Sequence, residues 1–231
     1  MCGRYTLTNP DPVGLRARFD ILESAEVADP PRYNIAPTDP VLAVRRLETG
    51  SRELGRLRWG LVPGRWAEKA SGRPLINARA ETLQSQPAFR ESFAARRCLI
   101  PADGFYEWLV DERGKRPVWF SRPDSELFAF AGIWAELERR GGDEVLHSCA
   151  IVTTQPNELI RPIHDRMPVI LEPGSEAEWL DPDRDVDDLV SLLVPAPEEA
   201  LIAREVNDLV NNVREDGPRL LEPRQEQGAL F

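Results

Sequence analysis

The sequence predicts an α+β fold: a single domain with a largely antiparallel, barrel-like β core and peripheral helices. Three observations carry this expectation. Many short strand-like apolar runs are interspersed with fewer helical ones along the chain. The two kinds do not alternate in the βαβ rhythm of a parallel sheet. Neither an internal repeat nor a linker divides the 231 residues, and 42% of them are hydrophobic, enough for one full core. The domain is expected over 1–217, with the polar segment 218–231 as a mobile tail.

Taken in order, Arg4–Leu7 reads as a strand. Asn9 or Asp11 can cap a helix over Val13–Leu22, where Leu15, Phe19 and Leu22 recur at helical spacing. Pro37 and Pro40 make Arg32–Pro37 an extended, loop-like segment. Val41–Leu47 and Leu54–Trp59 read as a strand pair across the polar turn Glu48–Arg52. A polar loop runs to Pro74, and Leu75–Thr82 leads into a helix over Pro87–Arg97. Cys98–Trp108 is strand-like, broken by the turn Pro101-Ala102-Asp103-Gly104. Glu112–Lys115 turns the chain towards a strand at Val118–Ser121. Leu127–Leu137 and Val145–Thr154 are buried strands joined across Gly141-Gly142. A short helix is expected around Asn157–Ile163, a strand at Val169–Leu171, and helices at Ser175–Leu180 and Asp185–Leu193. Leu201–Val206 reads as the last strand, before a turn at Asn207–Val213.

Composition narrows the function classes. No run approaches the ~18 apolar residues of a membrane span. The N-terminus lacks a charged-then-apolar secretion signal, so a cytoplasmic protein with no membrane partner is expected. Cys2, Cys98 and Cys149 form no C-x-x-C pair, and only His147 and His164 could add imidazoles. Neither a disulfide framework nor a metal site is expected, and no cofactor. The net charge of −10 argues against non-specific nucleic-acid binding but leaves room for a local arginine-lined groove. Lys69 and Lys115 are the only lysines, and this lysine-poor acidic balance also suits a salty cytoplasm, where bulk attraction is screened.

Several residues can carry chemistry. If Met1 is removed, Cys2 presents an α-amine and a thiol on adjacent carbons. Such an aminothiol condenses with an aldehyde to an imine, and the thiol then closes a thiazolidine ring. With ordinary values of about 8 for the amine and 8.5 for the thiol, both nucleophiles need little tuning. Cys2 is equally readable as a small buried apolar residue. Strand alternation puts Asn77 and Arg79 on one face, which suits orienting an amine and gripping a phosphate, or simply ends a strand. Glu107, between Tyr106 and Trp108, is either an acid–base group with a raised pKa or the solvent-facing position of its strand. His164 can shuttle protons or serve structure. Trp66, beside Gly64-Arg65, can stack on a base or anchor its loop. Gln227-Gly228-Ala229-Leu230-Phe231 has the Gln-x-x-Leu-Phe pattern of peptides that dock on a replication sliding clamp, a candidate partner.

Met1-Cys2-Gly3-Arg4-Tyr5, Arg32–Pro37, Trp59-Gly60-Leu61-Val62-Pro63, Asn77–Thr82, Pro101–Trp108 and Ile163–Pro168 occur together and in order. On these motifs the chain resembles the SOS response-associated peptidase (SRAP) family of abasic-site processing proteins, from Cys2 to about Val213. The resemblance implies the SRAP fold and a monomer in the nucleoid-bearing cytoplasm that acts on abasic sites in single-stranded DNA. It implies that Cys2, exposed by loss of Met1, forms a thiazolidine crosslink with the opened sugar. Asn77 would hold the amine or the sugar, Glu107 would assist proton transfers, and His164 would protonate the ring oxygen. Arg4 and Arg79 would bind phosphates, with Asn34, Pro37 and Trp66 lining the strand's path. Two rivals remain: a cysteine peptidase with Cys2 as nucleophile and His164 as base, mainly removing Met1, and a non-covalent reader of modified DNA.

Overall fold

The computed structural model describes residues 2–21, 29–63, 74–138 and 145–224. Trp66, Gly141-Gly142 and Gln227–Phe231 lie outside the described residues. In chain order the first strands are β1 (Tyr5–Leu7), β2 (Arg32–Ile35), β3 (Pro40–Arg46), β4 (Arg52–Trp59), β5 (Asn77–Arg79), β6 (Arg97–Ala102) and β7 (Gly104–Asp111). There follow β8 (Gly114–Ser121), β9 (Phe128–Glu138), β10 (Val145–Thr154), β11 (Met167–Pro168), β12 (Ile170–Leu171) and β13 (Ile202–Glu205). The helices are short: α1 (Pro12–Phe19), α2 (Pro87–Ala95), α3 (Glu176–Leu180) and α4 (Val186–Val190).

Five of these strands close a barrel in the order β10-β4-β3-β6-β9, with β9 returning to β10. All pairings in it are antiparallel except β4–β10, where Ser148 faces Arg58 and Cys149 faces Trp59. Val44, Leu57, Ile100, Phe130, Ile133 and Ile151 are buried in its core. Cys98 and Cys149 are buried there too, and burial pushes the Cys98 thiol up to about 12. At Gly132 a Cβ would lie 2.7 Å from Cys98 Sγ, so β9 crosses this layer without a side chain. The second sheet runs β13-β8-β7-β1-β2, all antiparallel. Edge-on aromatic contacts join the two: the Tyr5 ring meets Trp59 at 5.4 Å and Phe130 at 5.7 Å.

At one end of the barrel the strands change partners. Beyond Cys149, β5 replaces β4 as the parallel neighbour of β10, with Asn77 facing Ile151 and Arg79 facing Thr153. On the other side β9 and β10 part after the pair Gly132–Ile151. The 167–171 segment enters this gap, its first part on β10 and its second on β9. Val169 links the two, donating to Val152 O and accepting from Ala131 N, each at 2.9 Å. That is why the strand expected at Val169–Leu171 is two short pieces.

The chain moves between sheets at Asp103, after β6 and before β7. Its buried carboxylate accepts from the Thr6 hydroxyl (2.6 Å), the Thr8 hydroxyl (2.7 Å) and the Thr8 N–H (2.5 Å). Arg97, also buried, caps both helix C-termini that meet it. It donates to Phe93 O and Ala94 O at 2.7 Å, to Trp179 O at 2.6 Å, and to Asp181 O. Of the two caps expected for α1, Asn9 and Asp11, it is Asp11 that accepts from Gly14 N, at 2.7 Å.

Three expectations are corrected. Arg32–Ile35 is a paired strand and not a loop, because β1 offers it a partner edge. The helix expected near Asn157–Ile163 is a run of turns started by Asn157, whose Oδ1 accepts from Ile160 N at 3.0 Å. The tail is docked as far as Pro223: Leu220 is buried against Tyr106, Trp119 and Val210, and Val206 bridges to Pro223. Its few apolar residues find that patch only after folding. Among the described residues no helix is long and apolar enough to cross a membrane.

Asp103→Ala removes a charge-assisted set of bonds between the two sheets, and is expected to lower stability by roughly 2–3 kcal/mol in urea unfolding. Thr8→Ala, which removes only one of the three bonds, is expected to cost less than half of that.

Candidate active site

The site is assembled from the end of β1 outward. Tyr5 faces Phe105 and Thr6 faces Gly104, and Tyr106 N donates to Arg4 O at 3.0 Å. Carrying this register forward sets Gly3 opposite Glu107, so the backbone ladder itself brings the N-terminal residues to that carboxylate. Cys2 is fully buried. Asn77, the first residue of β5, donates from Nδ2 to Cys2 O at 2.9 Å. Among the described residues nothing donates to its buried Oδ1, which remains an open acceptor beside Cys2.

Glu107 is 3% exposed, so it is not the solvent-facing position of its strand. Burial raises its carboxyl above the ordinary range, and the nearby His164 pulls the other way. Burial first, and then the charge of Glu107, push the Cys2 thiol well up. The expectation of an ordinary, partly ionised thiol is thereby overturned. Burial leaves a thiolate poorly solvated, so the thiol holds its proton more strongly than an exposed cysteine does. These couplings bring Cys2, Asn77, Glu107 and His164 to one place, from four separate stretches of chain.

His164 ends the run of turns, its N–H donating to Ile160 O at 2.9 Å. Its Nδ1 accepts from Arg166 N at 3.0 Å and lies 3.0 Å from Asp165 Oδ1. The side chain is 26% exposed, reachable from solvent at the mouth of a buried cluster. Arg166 itself is buried, in a bidentate pair with Glu81 at 2.7 and 2.9 Å. Those hydrogen bonds hold the Glu81 carboxyl below its ordinary value. Sequence reasoning passed over Glu81 and Arg166, although each lies inside a motif already singled out. Two opposite charges far apart in sequence carry no mark of being partners.

The expected DNA-contacting residues divide. Arg79 is exposed, on the same strand face as Asn77 and with buried Ala78 between them. Pro37 is half-buried in the turn before β3. That turn holds Thr38 at φ 79°, a costly backbone for a β-branched residue. Arg4 donates to Asn34 Oδ1 at 2.8 Å and to Val210 O at 2.9 Å. Asn34 is buried, and its amide donates to Asn212 O at 3.0 Å and Glu215 O at 2.8 Å. Both side chains therefore pin the 210–215 segment. Among the described residues no group of three His, Cys, Asp or Glu side chains is placed to hold a metal ion.

Residues 1–213 match the family model described as SOS response associated peptidase (SRAP). Abasic site processing protein YoqW of Bacillus subtilis is 42% identical over 226 residues, covering 96% of this chain and 99% of its own. Abasic site processing protein YedK of Escherichia coli is 31% identical, covering 96% and 100%. Among solved structures, a Bacteroides thetaiotaomicron protein superposes with a TM-score of 0.85 over 97% of this chain and 100% of its own; at 24% identity it speaks to the fold. A phage-related protein of Bordetella bronchiseptica, 32% identical, gives 0.70 over 90% and 95%. With its closed barrel, its buried Cys2 cluster and this breadth of likeness, the chain belongs to the SOS response associated peptidase family.

Proposed function

We propose that this protein processes abasic sites in single-stranded DNA by forming a covalent thiazolidine through Cys2 once Met1 has been removed, shielding the lesion. The observation that carries the reading is the convergence of the Asn77 amide and the Glu107 carboxyl on a fully buried Cys2. The names of the relatives supply the substrate class: YoqW and YedK are both named abasic site processing proteins.

While Met1 is attached the Cys2 nitrogen is an amide and not a nucleophile. Its removal creates an α-amine with an ordinary value of about 8, a working nucleophile at neutral pH. His164 donates a proton to the ring oxygen of the abasic sugar; the C1′–O4′ bond breaks, the anomeric hydroxyl gives up its proton to solvent, from which the imidazole is reprotonated, and the ring opens to its C1′ aldehyde. The amine adds to that aldehyde, and loss of one water leaves an imine. The Cys2 sulfur then bonds to the imine carbon, the C=N electron pair moves to nitrogen, and the thiol proton is carried there through Glu107. A carboxyl raised by burial is suited to holding that proton in transit. Asn77 Nδ2 keeps the Cys2 carbonyl in place, and its open Oδ1 receives the new amine or a sugar hydroxyl.

The state of the thiol favours this reading over a cysteine peptidase. A peptidase needs a thiolate poised to attack, whereas burial and the charge of Glu107 both raise this thiol and disfavour the thiolate. In the crosslinking sequence the sulfur acts second, on an imine already held beside it. Arg79, exposed next to Asn77, receives a phosphate flanking the lesion. Arg4 and Asn34 shape the strand's path through the 210–215 segment they hold, and Pro37 lines it.

Incubation with an oligonucleotide carrying one abasic site tests the proposal by denaturing electrophoresis and intact mass. The expected species has the protein's mass without Met1, plus the oligonucleotide, less one water. Cys2→Ala is expected to form none. An unmodified mass for the processed protein removes the proposal. Cleavage of a peptide without DNA supports the peptidase, and reversible binding that survives loss of the thiol supports a reader.

Glu107→Gln separates function from stability. Because the folded-state carboxyl is raised, the folded protein holds its proton to higher pH than the unfolded chain does. Stability is thus lost as pH rises through that window, and the uncharged variant escapes the loss. Expected outcomes are slower adduct formation with a higher urea midpoint at pH 7, and no difference in midpoint near pH 3.5. In a Cys2→Ala background, Arg79→Ala is expected to lower the salt slope of single-stranded DNA binding by about 0.7, the share of one phosphate contact, in anisotropy titrations.

A further inference from the structure

One ion pair, buried on its arginine side and open to solvent at Glu81, joins the Asn77–Thr82 and Ile163–Pro168 segments, and the steps above leave it unused. Arg166 donates to both oxygens of Glu81, at 2.7 and 2.9 Å, and from Nη2 to Thr153 O at 2.6 Å. These three bonds fix the arginine against β10. They also fix its own peptide N–H, which donates to His164 Nδ1 at 3.0 Å. A neutral imidazole has one donor and one acceptor nitrogen. With Nδ1 accepting, the proton resides on Nε2. The Asp165 carboxylate lies 3.0 Å from the same Nδ1 and makes the opposite demand, since it can be served only by an N–H there. Asp165 is 87% exposed and well solvated, while the Arg166 peptide is anchored. For the neutral ring the anchored donor prevails.

We propose that Arg166, locked by Glu81 and the Thr153 carbonyl, is a positioning residue that sets the tautomer of His164, so that the neutral ring offers Nε2–H as a donor to the opening sugar. The proposal rests on the reading of His164 as the ring-opening residue. Its structural half stands without that reading. When the ring carries a second proton, Nδ1–H turns to Asp165 and the donor at Nε2 is kept. Glu81 and Arg166 touch no reacting atom; they act through the histidine.

The test is nitrogen-15 NMR of the imidazoles at pH 8.5 without DNA. The chain has 2 histidines, so His147→Gln leaves His164 as the only signal. Expected in the otherwise unaltered protein is a His164 ring protonated at Nε2; an Nδ1–H ring overturns the proposal with no further variant needed. In Glu81→Gln the ring nitrogens are expected to shift towards a mixture of tautomers. Adduct formation should slow by about tenfold, with affinity for an intact single strand unchanged within about twofold. Glu81→Asp, which keeps the charge, should recover part of both the tautomer and the rate. A Glu81→Gln protein that is slower but keeps the Nε2–H ring also overturns it. Absence of adduct in every protein, with the tautomer shift observed, would refute the crosslinking function and leave the positioning role standing.

Discussion

The site depends on one pairing: the three residues of β1 are bonded on both sides, Tyr5 to Ile35 of β2 and to Phe105 of β7. Chain ends ordinarily fray. Here Tyr5 and Leu7 are 1% and 3% exposed, and burial of such side chains contributes about 1.5–3 kcal/mol each. That is enough to hold the residues before them in register. Asp103 adds a second hold, gripping Thr6 and Thr8 from the point where the chain changes sheets. Cys2 is therefore placed by the strand that follows it, and the ladder sets which carboxylate it meets.

Burial then decides the chemistry. It raises both the Cys2 thiol and the Glu107 carboxyl, so that each holds its proton more strongly than an exposed group of its kind. The arginines follow a related logic. Arg97 and Arg166 are buried and bonded to main-chain carbonyls, and Arg4 is tied to Val210 O. In a chain of net charge −10, much of the positive charge thus serves architecture. Arg79 is one that stays exposed beside the site.

The legible parts of the sequence were those where the signal is local. The β3–β4 hairpin follows from alternation around a polar turn, and Asp11 from cap chemistry within one turn of helix. Cys2, Asn77, Glu107 and His164 were singled out together through the family resemblance of their motifs, and their roles belong to the proposed function. Glu107 shows the limit of the residues alone. Alternation says that one face of β7 differs from the other, yet which face is covered depends on the N-terminal segment lying across it. The turns at Asn157–Ile163 mislead for a different reason: helical spacing is present and Asn157 caps the first turn, but Pro162 has no N–H to continue a regular helix.

By itself the sequence determined most of the element types and the α+β class, and it proposed residues suited to the chemistry, because propensity, patterning and functional groups are local properties. Tertiary structure decided the rest. It closed β9 onto β10, split Val169–Leu171 between two strands, and chose the protonation of Cys2 and Glu107 through burial. It also gave His164 a fixed donor from a peptide held by Glu81, a residue 83 positions earlier in the chain. Solvent exclusion and long-range pairing exist only once the sheets have met, and they set the chemistry of this site.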